Sequence, residues 1–330
     1  MSSSILVVGG AGYIGSHMAK MLVQSGHDVL VLDNLSTGFG EAVRYGRLIE
    51  GDLADRALLD RVFAENSIDA VLHFAALSQV GESVQKPALY YRNNVTNTLN
   101  LLDAMLAHGI QRFIFSSTAA IFGEPEMARI AETHPQRPIN PYGRSKRMVE
   151  EILKDYDQAY ALRYVSLRYF NAVGADPEGE LGERHDPESH LTPQVLQAAS
   201  SRKAQIAVYG NDYPTPDATC IRDYIHVRDL CSAHFLALEH LLADGQSDVF
   251  NLGKGAAFSV QQVIDTARRF TGKDIPNVVQ ERRAVDPTVL VADSARAREE
   301  FGWEPRFEDL ETIVDHAWEW EDISIKTSYQ

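Results

Sequence analysis

The sequence predicts an α/β protein: a doubly wound parallel sheet followed by a smaller, less regular α/β lobe. Three observations carry this. Short β-branched runs alternate with longer amphipathic ones up to about residue 170, a glycine-rich turn directly follows the first run, and prolines and glycines cluster after residue 172. The runs at 5–8, 28–32, 70–74, 112–116 and 165–167 read as strands. Between them 13–24, 57–65, 83–106 (broken near Pro87) and 148–159 read as helices, giving the βαβαβ order of a parallel sheet. Such a sheet collects ligands at the C-terminal edge of its strands. The later clusters, 172–182 and 210–216, mark a second lobe. Residues 1–170 are expected to form the sheet domain and 171–330 mainly the smaller lobe, with the chain crossing between them more than once.

Composition narrows the possible ligands. With 46 acidic against 31 basic side chains the formal charge is −15, which disfavours nucleic acid and anionic membrane as partners. An anionic ligand must therefore meet a local positive site. The apolar stretches near 5–8 and 70–77 are far shorter than the ~20 residues of a membrane helix, and no basic region precedes an apolar one at the N-terminus. A cytoplasmic protein is expected. Cys220 and Cys231 have no CxxC spacing, so two buried thiols are expected rather than a disulfide or a zinc site.

Gly9-Gly10-Ala11-Gly12-Tyr13-Ile14-Gly15 joins the first strand to the first helix. Glycines there permit the tight turn and let backbone N–H groups at a helix N-terminus approach a pyrophosphate. Asp33 closes the second strand eighteen residues after Gly15, placed to accept hydrogen bonds from an adenosine ribose and to repel a 2′-phosphate. The combination predicts a Rossmann-type domain that binds NAD rather than NADP. Asp52, after a strand near 48–50, is a candidate for the adenine edge.

Asn140-Pro141-Tyr142-Gly143-Arg144-Ser145-Lys146 opens a helix after a proline. Its i, i+4 spacing sets Tyr142 and Lys146 on one face about 6 Å apart along the axis. An ammonium at that spacing favours the phenolate and draws the phenol down from about 10 towards neutrality, where it can act as a base or acid. The strand ending Ser116-Ser117-Thr118 runs out at the same sheet edge and adds a hydroxyl able to share a substrate oxygen with the tyrosine.

These motifs, with HFAALSQVGESVQKP (73–87), NNVTNTLNLL (93–102), SSTAAIFG (116–123), LRYFNAVGADP (167–177), YGNDYPTPDATCIRDYIHVRDL (209–230) and NLGKG (251–255), run nearly end to end. The chain resembles the UDP-glucose (UDP-galactose) 4-epimerase family of the extended short-chain dehydrogenase/reductases. The resemblance implies NAD-dependent inversion at C4 of a UDP-hexose through a transient 4-keto sugar, with Tyr142, Lys146 and Thr118 in the catalytic positions. It implies that Gly9, Gly12, Tyr13, Ile14, Gly15, Asp33, Asn34, Asp52, Leu53, Phe74, Ala75, Ala76, Asn93, Lys146 and Phe170 hold NAD. Asn171, His190, Leu191, Tyr209, Arg222, Arg283 and Asp286 fall at uridine diphosphate positions, the two arginines supplying the local cations that the overall charge demands. Homodimerisation through the 83–106 region, where Val84, Leu89, Val95, Leu99, Leu102, Met105 and Leu106 recur at near-helical spacing, is also implied.

The sequence departs from the family pattern at four positions. Phe122 replaces a tyrosine, Ser78 a lysine and His190 an asparagine, while Leu290 stands where a large tyrosine crowds the sugar 2-substituent. Leucine leaves more room, so acceptance of UDP-N-acetylhexosamines is expected; UDP-pentoses (xylose/arabinose) are the alternative substrates. A 4,6-dehydratase would carry an Asp-Glu pair after the threonine, where this chain has Ala119-Ala120, and a non-catalytic NAD sensor would have lost the Tyr-Lys pair. His185 and His190 flank Asp186 and Glu188 without helical or CxxC regularity, so no metal is expected. Trp303, Trp318 and Trp320 are expected to pack rather than stack on a ligand.

Overall fold

A computed structural model describes residues 2–283 and 287–328. Seven strands form one parallel sheet: β1 (Ser4–Val8), β2 (Asp28–Asp33), β3 (Arg47–Glu50), β4 (Ala70–His73), β5 (Arg112–Thr118), β6 (Arg163–Tyr169) and, after three strands of the second half, β10 (Asp248–Leu252). Their order is β10-β6-β5-β4-β1-β2-β3. Consecutive strands therefore run outward in both directions from β1 and β4, and the crevice between those two strands is the switch point where a ligand has room. The chain order explains why continuous apolar runs such as 5–8 and 70–72 are buried: helices cover both faces of the sheet.

On one face α1 (Tyr13–Gln24) packs against a helix of the second half, α8 (Val227–Leu242). On the other lie α2 (Arg56–Glu65), α5 (Asn97–Ala107) and α6 (Pro141–Tyr160). The expected helix over 148–159 and the turn opening at Pro141 are one helix, capped by Asn140, whose Oδ1 accepts the Gly143 N–H at 2.8 Å. The expected 83–106 helix is instead four pieces: α3 (Val80–Gln85), α4 (Pro87–Tyr91), a π-helical turn at Arg92–Thr96, and α5. Pro87 starts a helix because its missing N–H is no loss in a first turn. The π turn interrupts the ladder at Asn93 and Asn94, and such bulges gather where side chains are redirected to a ligand.

The second half builds a four-stranded sheet around β9 (Ile221–His226). This strand pairs with β7 (Asn171–Val173), β11 (Ala257–Ser259) and β13 (Val289–Leu290), while β8 (Ile206–Tyr209) pairs with β12 (Asn277–Gln280). Its core gathers residues of α7 (Leu191–Ala199), α9 (Val260–Thr271) and α11 (Leu310–Ser328). The segment after β7 is tied to α1. The Tyr13 hydroxyl donates to the Gly174 carbonyl at 2.6 Å, and the buried Lys20 ammonium reaches Asp176 at 2.6 Å, Glu180 at 2.7 Å and Glu178. The helix that starts at the glycine turn is therefore joined to the wall of the second lobe by polar contacts.

Cys220 and Cys231 are both free and buried. Trp303 is fully buried and donates to the Asp229 carbonyl, Trp318 joins the apolar core of the second lobe, and Trp320 packs on Gly182.

Candidate active site

A continuous cleft of about 660 Å³ runs along the C-terminal edge of the sheet into the second lobe, within the ~300–1,000 Å³ typical of small-molecule sites. At its sheet end lie Gly9, Gly12, Tyr13, Ile14, Gly15, Asp33, Asn34, Asp52, Leu53, Phe74, Ala75, Ala76, Asn93 and Phe170. Thr118, Tyr142 and Lys146 line it too, as do Asn171, His190, Leu191, Tyr209, Arg222, Arg283 and Leu290. Asp286 lies outside the described residues.

The glycine turn is shaped by close approach. Gly9 has φ +81°, and a Cβ there would lie 2.4 Å from the Ala75 backbone nitrogen, across the switch point. A Cβ on Gly15 would lie 2.2 Å from the Gly9 carbonyl. Gly12 differs: its Cβ would meet only the Gly9 carbonyl at 3.4 Å, and as N-cap of α1 it offers no side-chain acceptor to the first turn. The helix start therefore faces the cleft with its N–H groups uncapped. Asp33 accepts the Ala11 N–H at 2.9 Å and the Leu35 N–H at 2.8 Å, while burial raises its carboxyl above the usual value against those two bonds. Asn34 donates to Asp52 at 2.6 Å, so these two polar groups form one edge of the cleft.

At the cleft centre α6 crosses the end of β5. Gly143 allows the crossing, since a Cβ there would lie 2.3 Å from the Ala120 carbonyl, in the turn that follows Thr118. The Lys146 ammonium donates to the Ser116 carbonyl at 2.7 Å and lies 4.7 Å above the Phe115 ring. Burial pulls Lys146 down to about 7, with Glu150 opposing. Burial also raises the Tyr142 phenol above 10, against the hydrogen bond from Thr118. Helical spacing suggested a phenol drawn towards neutrality by the lysine; in the fold, burial is the largest influence on each of the two groups.

Sequence reasoning missed the residues that hold this centre in place. Glu150, one turn beyond Lys146, accepts from Ser117 Oγ at 2.5 Å and from the Arg168 guanidinium at 2.6 and 3.0 Å, all of it buried. This pair bolts α6 to β5 and β6 beneath the cleft. Asn94, not its neighbour Asn93, clasps the Leu77 backbone through both N–H and C=O and also donates to Ser145, tying the loop after β4 to α6. The fully buried Glu150 and Arg168 carried no signal in a linear reading, because sequence distance hides their pairing.

In the second lobe the Arg283 guanidinium sits 4.0 Å above the Tyr209 ring, and Arg222 is anchored through its own strand at the Ile221 carbonyl. Leu290 packs with Phe122, Ile130 and Phe170 as an apolar wall. Burial works against charge on His190, but Glu183 and Glu188 beside it prevail and raise its imidazole to about 9.

Residues 5–253, which span the sheet, the glycine turn and the Tyr-Lys helix, match the model of the NAD dependent epimerase/dehydratase family. The chain belongs to that family. A UDP-glucose 4-epimerase of Halalkalibacterium halodurans is 52% identical over 317 residues, 96% of this chain and 95% of that protein. Among solved structures, UDP-glucose 4-epimerase from Brucella ovis in complex with NAD superposes with a TM-score of 0.94 at 51% identity, covering 96% and 98% of the two chains. The Bifidobacterium longum UDP-glucose 4-epimerase in complex with NAD+ and UDP does so at 0.94 and 39%, covering 98% and 99%.

The residues present fit the cofactor of an NAD dependent epimerase/dehydratase. The turn at Gly9 and Gly15 is too tight for side chains, the uncapped start of α1 suits a pyrophosphate, and Asp33 presents a carboxylate at the end of β2. One cleft thus joins the glycine turn and the uncapped helix start on the sheet to Arg222 and Arg283 on the second lobe.

Proposed function

We infer that the protein is an NAD-dependent 4-epimerase of UDP-hexoses, interconverting UDP-galactose and UDP-glucose. The observation that carries this is the convergence of Thr118, Tyr142 and Lys146 midway along one cleft, between the dinucleotide cradle and Arg222 and Arg283. NAD, held by the glycine turn and Asp33, would supply a hydride acceptor and donor for C4 together with a positive charge beside the phenol. Tyr142 takes the proton of the sugar 4-hydroxyl and gives it back. Thr118 hydrogen-bonds the same oxygen, and Lys146, held by the Ser116 carbonyl, orients the cofactor ribose and keeps positive charge near the phenol. Arg222 and Arg283 grip the diphosphate with Asn171, His190, Leu191 and Tyr209 around the nucleotide, and the smoother wall at Leu290 lets the 4-keto sugar turn over. Asp286 belongs to the same reading. Gly9, Gly12, Tyr13, Ile14, Gly15, Asp33, Asn34, Asp52, Leu53, Phe74, Ala75, Ala76, Asn93 and Phe170 hold NAD. The division of labour follows the two lobes, 1–170 for the cofactor and mainly 171–330 for the UDP-sugar.

The purified protein, given UDP-galactose and no added cofactor, should form UDP-glucose with no net NADH absorbance. Accumulating NADH, or no turnover by a protein that releases NAD on denaturation, would overturn the reading in favour of a dehydrogenase or a sensor.

Substrate breadth follows from Leu290. We infer that a leucine here, smaller than a tyrosine, leaves room for a bulkier sugar 2-substituent, so that UDP-N-acetylhexosamines are accepted in part. Leu290→Tyr should lower the ratio of kcat/KM for UDP-N-acetylgalactosamine over UDP-galactose by about tenfold; an unchanged ratio would remove the role from this position. A homodimer is supported by the exposed apolar side chains Val84 and Leu89 on α3 and α4 and Met148 on α6, three helices that pack against one another. Light scattering should give twice the 36.7 kDa chain mass, and a single-chain mass would refute it. A cytoplasmic location accords with the intracellular pools of NAD and nucleotide sugars, and cell fractionation checks it.

A further inference from the structure

The loop between Gly182 and α7 brings together four side chains that the sequence spacing E-x-H-x-x-E-x-H left unconnected. One donor atom each of Glu183, His185, Glu188 and His190 lies within 4.8 Å of the others. His185 Nδ1 is 3.5 Å from Glu183 Oε1 and 3.4 Å from Glu188 Oε2; His190 Nδ1 is 2.6 Å from Glu183 Oε1 and 3.7 Å from Glu188 Oε1. A tetrahedral zinc ion with bonds of about 2.0–2.1 Å has ligand-to-ligand edges of about 3.4 Å. Around the single Glu183 oxygen, the separation from His185 already matches that figure and the one from His190 must open by less than 1 Å, while Glu188 offers one oxygen near each imidazole, at 3.4 and 3.7 Å.

The burial of the carboxylates is compatible with the same site. The Glu183 and Glu188 side chains are each only 6% exposed. Among the described residues neither pairs with a lysine or arginine, only with the two imidazoles. Two shielded carboxylates on one small site call for positive charge, which here must come from the imidazoles or from a bound cation. The other acidic cluster of the chain, Asp176, Glu178 and Glu180, has one in the Lys20 ammonium. The loop cluster has no such lysine, and its His185 Nδ1 is buried between the two carboxylates without a hydrogen-bond partner among the described residues.

We propose that Glu183, His185, Glu188 and His190 form a four-ligand structural site for a zinc ion in the wall of the cleft, His190 binding it through Nδ1 and keeping Nε2 for the nucleotide. Two imidazole nitrogens with two carboxylates suit zinc, whereas magnesium and calcium call for oxygen ligands and higher coordination numbers. Backbone contacts hold the donors: Glu188 Oε1 accepts the N–H groups of Ser189 and His190 at 2.8 Å, and the Glu183 carbonyl accepts from Trp320 of α11 at 3.2 Å. Binding releases any proton held on the imidazoles, since both ligate as neutral rings through Nδ1. The ion fixes the cleft wall at His190 and Leu191 to the start of α7 and, through Glu183, to α11. The site does not depend on which nucleotide sugar the cleft accepts.

The test uses the full chain, free of any histidine tag, dialysed against EDTA and titrated with Zn²⁺ alone. Metal content after gel filtration should reach one zinc per chain, and zinc at a hundredfold excess over its Kd should raise Tm by about 4 °C. His185→Ala and Glu188→Gln should each weaken zinc binding at least tenfold, whereas His108→Gln, at a surface histidine–aspartate pair, should not. Far-UV circular dichroism of each variant separates loss of the site from loss of the fold, and Glu188→Gln stands in if His185→Ala does not fold. Absence of stoichiometric zinc from the wild-type chain, with no rise in Tm, would mean that protonated histidines alone neutralise the cluster. Equal zinc binding by wild type, His185→Ala and Glu188→Gln would place the metal elsewhere. Either result overturns the proposal.

Discussion

Tyr142→Phe should lower kcat for UDP-galactose epimerisation by about 10²–10⁴-fold, the usual contribution of a positioned acid or base, while leaving bound NAD in place. The substitution removes one oxygen from a buried side chain and leaves the ring to fill its space. The cradle at Gly9, Gly12, Gly15 and Asp33 lies on different elements and does not use that hydroxyl. The pH profile gives a second readout. Burial raises the phenol, bound NAD and Lys146 would oppose that, and only the deprotonated form can take a proton, so wild-type kcat should have a limb that rises with pH as the phenol ionises. Tyr142→Phe should flatten that limb as well as lower it. A variant that keeps the wild-type rate would show that another group handles the proton, and one that loses NAD would show that the hydroxyl is structural. Turnover of UDP-galactose and NAD released on denaturation, measured on the same preparation, separate these outcomes.

How much of this was legible in the sequence depended on whether the signal was local. The first strand, the glycine turn and helix 13–24 could be read residue by residue, because apolar continuity, positive φ at Gly9 and uncapped helix N–H groups are all properties of neighbours in the chain. Tyr142 and Lys146 could be placed on one helix face for the same reason. Their electrostatics could not. Helical spacing gives the attraction between two groups, but how desolvation weighs against it depends on burial by β5 and the turn after it, which are distant in sequence. The 83–106 region failed in another way: its apolar spacing is continuous across Pro87, and nothing local announces the π turn that redirects Asn93 and Asn94. The Glu183, His185, Glu188 and His190 cluster is the sharpest case. Its spacing fits no regular element, so only the folded loop brings the four donors together.

The second large effect is on acid stability, and it comes from histidines that take no part in the chemistry. Burial lowers His17 and His234 to about 4 and His73 and His226 to about 3, from an ordinary value of 6.5. Each is buried. Each makes a hydrogen bond through one ring nitrogen: His17 with the Tyr13 carbonyl, His234 with the Leu230 carbonyl, His73 with Thr98. The second nitrogen of these three has no hydrogen-bond partner among the described residues, and both nitrogens of His226 are engaged, one of them with His316. Protonation therefore puts a charge where nothing balances it. In the unfolded chain these rings take a proton near 6.5, whereas in the fold they refuse it until 3–4. The stability they contribute is thus whole above 6.5 and is lost as pH falls from there towards the folded values. Each site then costs about 1.4 kcal/mol per pH unit, and four together about 5–6. Asp33, Asp223 and Asp229, raised by burial, act in the opposite direction, but only where carboxylates titrate. Against a typical stability of about 5–15 kcal/mol, the four histidines exhaust the fold within about two units, so cooperative unfolding is expected near pH 4.5–5. Urea titrations between pH 7.5 and 5, followed by tryptophan fluorescence, should show this slope below 6.5, whereas above 7 the lowered Lys146 and the raised His190 act with opposite signs. His234→Gln should reduce the slope by about a quarter whatever it does to stability at pH 7. A chain that keeps its neutral-pH stability at pH 5 would mean that these rings accept protons in the folded state.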